Sequence, residues 1–557
     1  MYNKQQNFFE VFKERYDLYN SDKTISFKVE NGYEEISLKN IFQIAENFAN
    51  NLIKNYNTQK EDRIAIICES RPEYPIGVFG TIKAGCIIVP LDIKLTESEQ
   101  INILNDCKPK ILCTSKLFYK RALELKKSIP FIEHVFLLEH NEINYNEAIS
   151  IYDLPVLNQN YTVERKLKDI ASIVYTSGTT GNPKGVMNSF ENICSLIDIA
   201  NKIGITDKSV LVSILPLNHS YELNVGLFTM LYYGAKIIYL KNWSKNEIVQ
   251  AMKDFKATDM FVVPLFLNML KSMFEEDINA QSLLCKCLFR LKFHLAKYLP
   301  VKIKRKLFKR QIDMLGGKMR MFITGGSKLD IKTSSFFDRI GIFAFQGYGL
   351  TEACSTIATN YEKNNKPLSV GKPIPGIKVK ISNAGELLTS GPHIMPGYYN
   401  NPELTEKVLE KQNNDIWLHT GDKAKIDKDG YIYITGRIKN MIVLCGGKNV
   451  FPEEVEPVLY RSTLFKELCV MPFKITEGHN IGTEQVGVVI VPIKELLLKK
   501  DNEIQAIIEN EVKKLSEKYL APFKHPTKII VRREDFPKTP TGKIKRKEVI
   551  KIYENYA

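Results

Sequence analysis

Residues 175–185 read YTSGTTGNPKG, which sets Ser177, Gly178, Thr179, Thr180 and Gly181 between Thr176 and the Pro183 and Lys184 pair. Glycine reaches positive φ and turns its N–H groups inward, so consecutive amides can surround an anion. The hydroxyls and Lys184 add donors and a positive charge suited to a polyphosphate. The spacing G-x-x-x-x-G-K-[ST] occurs nowhere in the chain, so this is not a Walker A loop. Loops of this composition are also common as plain surface turns, and a phosphate-binding reading needs partners elsewhere.

Five further segments offer them. QGYGLTEA from Gln346 brings Tyr348, Gly349, Thr351 and Glu352 into one turn. An aromatic face stacks on a purine, and a carboxylate holds Mg²⁺ directly or through water. TGGSKLD from Thr324 supplies Gly325, Gly326 and Ser327, small residues that admit a flat ring. HTGD from His419 ends in Asp422, a carboxylate able to accept two hydrogen bonds from a ribose diol. GRIKNMIVLCGGKNVFPEEVE starts at Gly436, and FPKTPTGKIKR from Phe536 carries Lys543 on a glycine-flexed loop. Each piece taken singly also reads as a turn or a solvated charge.

The elements that must position these residues follow from periodicity. DRIAIICES, CIIVPLD, PKILCTS, HVFLLE, IASIVYTS and AKIIYL read as buried strands, with helical YPIGVFGTIKAG and ESEQINILNDC between them. This alternation predicts an α/β architecture with substantial parallel sheet. From about 370 to 436 the pattern shifts to short strands and tight turns, including an Asp-Gly turn in IDKDGYIYITG, which predicts a small β subdomain. Beyond Lys439 an α+β unit is expected, with strands VGVVIVPI and KIIVRR and the helical NEIQAIIENEVKKLSEKY. The domains are therefore placed at 1–438 and 439–557.

A chain of 557 residues is too long for one core. Its 44% hydrophobic and 25% charged residues are ordinary for a globular protein. No apolar stretch reaches membrane-spanning length, and the first twenty residues hold charges throughout with no signal-peptide core. A cytoplasmic protein, at most peripheral to a membrane, is expected. The ten cysteines are scattered and read as free thiols rather than disulfide or zinc ligands. The net charge of +15 suits a polyanion, yet no nucleic-acid-binding motif accompanies it.

Between Lys286 and Arg310 there are ten Lys/Arg and no acidic residue, interleaved with Leu288, Phe289, Leu291, Phe293, Leu295, Tyr298, Leu299, Leu307 and Phe308. Such a segment can lie on an anionic membrane. It can equally pack its apolar face onto the domain with its lysines in water, and the packed reading is slightly preferred.

In this order and at these spacings the motifs resemble the adenylate-forming superfamily of acyl-CoA synthetases, adenylation domains and luciferases. The resemblance covers nearly the whole chain, from DRIAIICESRPEYPIGVFGTIKAGCIIVPLD at 62–92 to Lys543. It implies a large N-terminal domain of layered α/β sheets and a smaller, mobile C-terminal domain. By resemblance, Thr176 to Lys184 hold the β- and γ-phosphates of ATP, and Gly325, Gly326 and Ser327 line the adenine with Tyr348 and Gly349. Thr351 contacts the α-phosphate, Glu352 binds Mg²⁺, and Asp422 grips the ribose with Arg437. Lys543 is the mobile catalytic lysine, Lys439 the hinge, and Gly446, Gly447 and Lys448 border the CoA tunnel.

LPLNHSYE from Leu215 resembles the long-chain fatty acyl-CoA synthetase form of the fourth family motif, including Glu222 after the aromatic. The resemblance puts His219 in the acyl pocket, with Gly347 and Cys354. The usual Thr-His after the phosphate loop is replaced by Asn188 and Ser189, a departure that bears on chain length rather than on the superfamily. No carrier-protein serine motif follows Lys543, so a stand-alone synthetase is expected. The expected reaction converts a medium or long-chain acid to acyl-AMP and then to acyl-CoA. The alternatives are loading the phosphopantetheine thiol of an acyl carrier protein, a nucleotide-sensing protein without catalysis, and a luciferase-like oxygenase.

Overall fold

The computed structural model describes residues 8–18, 24–29, 32–140, 147–176, 183–241, 243–444, 448–475, 484–539 and 542–553. The chain divides into two compact units, Met1–Val379 with Thr389–Leu418, and Lys380–Leu388 with His419–Ala557.

Two sheets build the first unit. The expected β-branched runs pair in a seven-stranded sheet in the order Ile149–Ser150, His134–Leu137, Ile111–Thr114, Arg63–Ile67, Ile87–Pro90, Ile170–Thr176 and Lys184–Ser189. All neighbours are parallel except the last two, whose register sets Thr176 opposite Lys184. The nine-stranded sheet runs Lys372–Pro373, Ala358–Thr359, Phe343–Tyr348, Met321–Thr324, Asp259–Val262, Val210–Ser213, Lys236–Tyr239, Thr24–Val29 and Gly32–Ser37. Its interior is parallel and its flanks are antiparallel.

Parallel strands covered on both faces read as continuous apolar runs, which is why the sequence disclosed them so directly. One core joins both sheets, Ile64 and Ile66 from one and Ile25, Leu211 and Ile237 from the other, through Phe48, Phe79, Phe190 and Phe228. The predicted helices appear as Tyr74–Lys83 and Glu97–Cys107, the latter opened by a Thr96 capping box.

The second unit holds a hairpin pairing Asp422–Ile426 with Ile432–Arg437, and a three-stranded sheet of Phe465–Lys474, Glu484–Pro492 and Lys528–Val531. Helices Pro452–Leu459 and Asp501–Tyr519 cover one face of that sheet, while Arg546–Tyr553 covers the other. The α/β class expected from the sequence is the class observed.

Among the described residues no helix is long and apolar enough to cross a membrane, and no group of three or more His, Cys, Asp or Glu could hold a metal ion. Cys68, Cys86, Cys107, Cys113, Cys354 and Cys469 are buried free thiols, whereas Cys285 and Cys287 are exposed.

Candidate active site

The hairpin Ile170–Thr176/Lys184–Ser189 forms the stem of the glycine-rich loop. Ser177, Gly178, Thr179, Thr180 and Gly181 lie outside the described residues. The free edge of Lys184–Ser189 is closed by a segment more than two hundred residues away. Met187 N donates to Gly397 O at 3.1 Å, Tyr399 N donates to Gly185 O at 2.7 Å, and Val186 bridges Tyr398.

This pairing swings Tyr398 beneath the loop stem. The Lys184 ammonium sits 5.5 Å from the centre of the Tyr398 ring. Tyr398 Oη donates to Glu352 Oε1 at 2.8 Å, and Met395 N donates to Glu352 O at 3.0 Å. Burial, and then the Glu352 charge and hydrogen bond, push the Tyr398 phenol above its ordinary value. Sequence reasoning missed Tyr398. Its only local signal is the Pro396, Gly397, Tyr398, Tyr399 run, which says nothing of a partner strand.

Of the departure noted in sequence, Ser189 has a structural use, whereas the side-chain amide of Asn188 is buried without a hydrogen-bond partner. Ser189 caps helix Phe190–Ile203 by accepting from Asn192 N at 3.2 Å, while Asn192 Oδ1 accepts from Ser189 N at 2.8 Å. Asn192 Nδ2 then donates to Pro392 O at 2.7 Å and to Ile394 O at 2.8 Å, fixing the segment that carries Tyr398.

The QGYGLTEA turn follows strand Phe343–Tyr348 and leads into a 3₁₀ turn at Thr351–Ala353. A Cβ at Gly349 would lie 1.9 Å from Ser355 O, so only glycine permits this closure. Thr351 Oγ1 accepts from Ser220 Oγ at 3.4 Å, which brings the turn to the segment after His219. Gly347 and Tyr348 pair with Thr359 and Ala358. Gly325 N donates to Val262 O at 3.3 Å, Gly326 has a φ of 86°, and Ser327 is exposed. Leu329 N donates to Gln346 Oε1 at 3.3 Å, so the two predicted adenine segments adjoin.

The two further acyl-pocket residues have local roles. His219 Nδ1 accepts from Tyr221 N at 3.2 Å. Cys354 is fully buried with φ 48°, and Asn224 Nδ2 donates to its Sγ at 3.2 Å. Glu222 opens a π-helix, Glu222–Thr229, and is only 1% exposed. Its carboxyl accepts from Ser213 Oγ and packs on Gly226, where a Cβ would come within 2.3 Å. Burial pushes Glu222 up to about 8, against the opposing Ser213 hydrogen bond.

A cavity of about 960 Å³ opens beside Pro216, Leu217 and Asn218, with Phe27, Arg71 and Trp243 in its wall. None of the predicted site residues lines it. Arg71 there pairs with Glu69, Glu73 and Glu139.

In the second unit, Arg437 Nε donates to Asp422 Oδ1 at 2.8 Å, and Asp422 is buried. Lys543 shares their field. Loss of solvation lowers its pKa, the Arg437 charge lowers it further, and Asp422 opposes both. Lys543 N donates to Thr539 Oγ1 at 3.1 Å and Thr539 N donates to Lys543 O at 2.7 Å. Lys439 is exposed on a single 3₁₀ turn, Ile438–Asn440. Gly446 and Gly447 lie outside the described residues, and the ammonium of the exposed Lys448 stands 4.9 Å from the Phe523 ring centre.

A glycine-rich loop stem, an adjacent Thr/Glu turn and a lysine beside a buried carboxylate are the parts expected of a nucleotide-dependent ligase. The chain belongs to the AMP-binding enzyme family, whose model matches residues 13–399. The superfamily resemblance read from the motifs therefore holds. A long-chain-fatty-acid–CoA ligase of Homo sapiens, ACSBG1, is 26% identical over 98% of this chain and 84% of its own length. A luciferin 4-monooxygenase of Photuris pensylvanica is also 26% identical, over 94% of this chain and 90% of its own. The crystal structure of the anthranilate CoA ligase AuaEII with anthranoyl-AMP shares the fold, with a TM-score of 0.79 at 20% identity, covering 99% of this chain and 98% of that one.

Proposed function

We propose that this chain activates a medium or long-chain fatty acid as its acyl-AMP, releasing pyrophosphate, and then transfers the acyl group to the thiol of CoA. The observation that carries the reading is the convergence of Lys184, Tyr398 and Glu352, with Thr351 joined to Ser220 in the same unit. The LPLNHSYE motif and the likeness to a fatty-acid–CoA ligase support the choice of acid.

The carboxylate of the acid attacks the α-phosphate of ATP, and negative charge builds on the transferring group. In this reading Lys184 and the loop amides hold the departing phosphates, Thr351 orients the α-phosphate, and Lys543 neutralises charge where it develops. Asp422, oriented by Arg437, accepts the ribose hydroxyls, with Gly325, Gly326, Ser327, Tyr348 and Gly349 around the adenine. A single carboxylate, Glu352, fits a Mg²⁺ that arrives on the nucleotide, because that ion usually takes one or two carboxylates and fills its shell from phosphates and water. When bound, it supplies charge neutralisation at the phosphates. Thiolation then follows a turn of residues 439–557 about Lys439 that withdraws Lys543 and brings Gly446, Gly447 and Lys448 to the pantetheine.

The test is product analysis by mass spectrometry with ATP, Mg²⁺ and saturated acids from octanoate to stearate, with and without CoA. Acyl-CoA is the expected product. Acyl-AMP that accumulates and never reaches CoA would replace CoA with an acyl carrier protein, and no product with any fatty acid would remove the substrate class.

A further inference from the structure

Helix Leu283–Leu295 is apolar on two opposite sides. Phe289 and Phe293 stack 5.6 Å apart and meet Phe308 and Phe336 of the core, with Ala296 fully buried behind them. Half a turn away, Leu284, Leu288, Leu291 and Leu295 recur at i, i+4, i+7 and i+11, which places them in one stripe. These four leucines are 79%, 48%, 58% and 52% exposed, and Tyr298, 75% exposed, extends them. The packed reading of this segment thus accounts for only one of its apolar sides.

Within residues 283–310 the charges are all of one sign. Arg290 and Lys292 lie on its opposite flanks, and Lys302 and Lys306 follow on helix Val301–Leu307. Lys304, Lys309 and Arg310 are taken up by Asp338, Asp313 and Asp277. Lys286, Arg290, Lys292, Lys302 and Lys306 have no ion pair among the described residues.

We propose that residues 283–310 dock this chain on an anionic phospholipid bilayer. The leucine stripe enters the boundary between headgroups and acyl chains, and the flanking cations meet the lipid phosphates. Lysine and arginine stems bury their methylenes while their heads stay in the wet layer, so both kinds of side chain gain from one contact. A second copy of the chain fits less well. Leucine spacing of this kind also makes a helix–helix seam, but two copies apposed there would bring cation against cation. An anionic surface supplies the missing sign. The inference does not depend on which acid the protein activates.

Co-sedimentation of the full chain with vesicles tests it. Binding is expected to phosphatidylcholine vesicles containing phosphatidylglycerol, with little to phosphatidylcholine alone, and it should fall steeply with added salt. Leu288→Gln with Leu291→Gln alters only exposed side chains and should weaken binding more than about tenfold. Lys302→Glu with Lys306→Glu should do the same by charge. Both variants should keep the thermal transition of the parent. Failure of the intact chain to bind anionic vesicles, or binding indifferent to both variants, would overturn the proposal. So would a concentration-dependent dimer that the leucine variant dissolves.

Discussion

Tyr398 Oη donates to Glu352 Oε1 at 2.8 Å, joining side chains 46 positions apart, and the same ring lies under the Lys184 ammonium. One tyrosine thus orients an acid on one element and steadies a cation on another. Tyr398→Phe keeps the ring but releases the carboxylate. The Mg²⁺ concentration for half-maximal acyl-AMP formation should rise several-fold, while stability falls by only about 1 kcal/mol. An unchanged Mg²⁺ titration would show that Glu352 does not serve the metal.

Lys543 is exposed, feels the charges of Arg437 and Asp422, and is tied through its backbone to Thr539. Removing one preorganised charge contact costs about 3 to 4 kcal/mol in a transition state. Lys543→Ala should therefore slow pyrophosphate release more than about a hundredfold. Thioester formation from supplied acyl-AMP should survive, and near-normal acyl-AMP synthesis by the variant would sink the assignment.

Lys439 occupies a single exposed 3₁₀ turn after strand Ile432–Arg437. Proline at this position restricts φ to near −65° and removes a backbone donor. Lys439→Pro is expected to spare adenylation and abolish thiolation in single-turnover assays of each half-reaction. Equal loss of both would count against a hinge.

Glu222 bears on stability through its proton. Its pKa rises from 4.5 unfolded to about 8 folded, so between those values the folded chain holds a proton that the unfolded chain releases. The stability from the neutral carboxyl is complete below 4.5 and is lost as pH climbs toward 8. Glu222→Gln cannot ionise. In denaturant melts the parent should lose a few kcal/mol relative to this variant between about pH 5 and about pH 8, and parallel pH profiles would contradict the burial argument.

The strands of the first unit were legible because burial on both faces leaves nothing but apolar residues, as in Ile64 to Ile67. Thr351, Glu352 and Asp422 stood out as candidates only through the order and spacing of their motifs, since each piece taken singly also reads as a turn or a solvated charge. Tyr398 was not legible, since its partners come from the pairing of Val186 with a segment far along the chain. The leucine stripe was half legible: the basic amphipathic segment stood out, but Phe289 and Phe293 mark a second apolar side that no single-face reading separates from Leu288 and Leu291.

The i→i+5 winding of Glu222–Thr229 bears on how this chain can change length. Such a segment carries a residue more than an α-helical path between the same ends would need. All eight of its residues are buried, so a substitution there must fit the core as well as the space that Glu222 takes over Gly226. A one-residue deletion would be absorbed as ordinary helix with both ends left in place, whereas the same loss from a plain α-helix would rotate every later side chain by about 100°. This stretch is therefore a point where the gene can lose one codon more readily than it can change one.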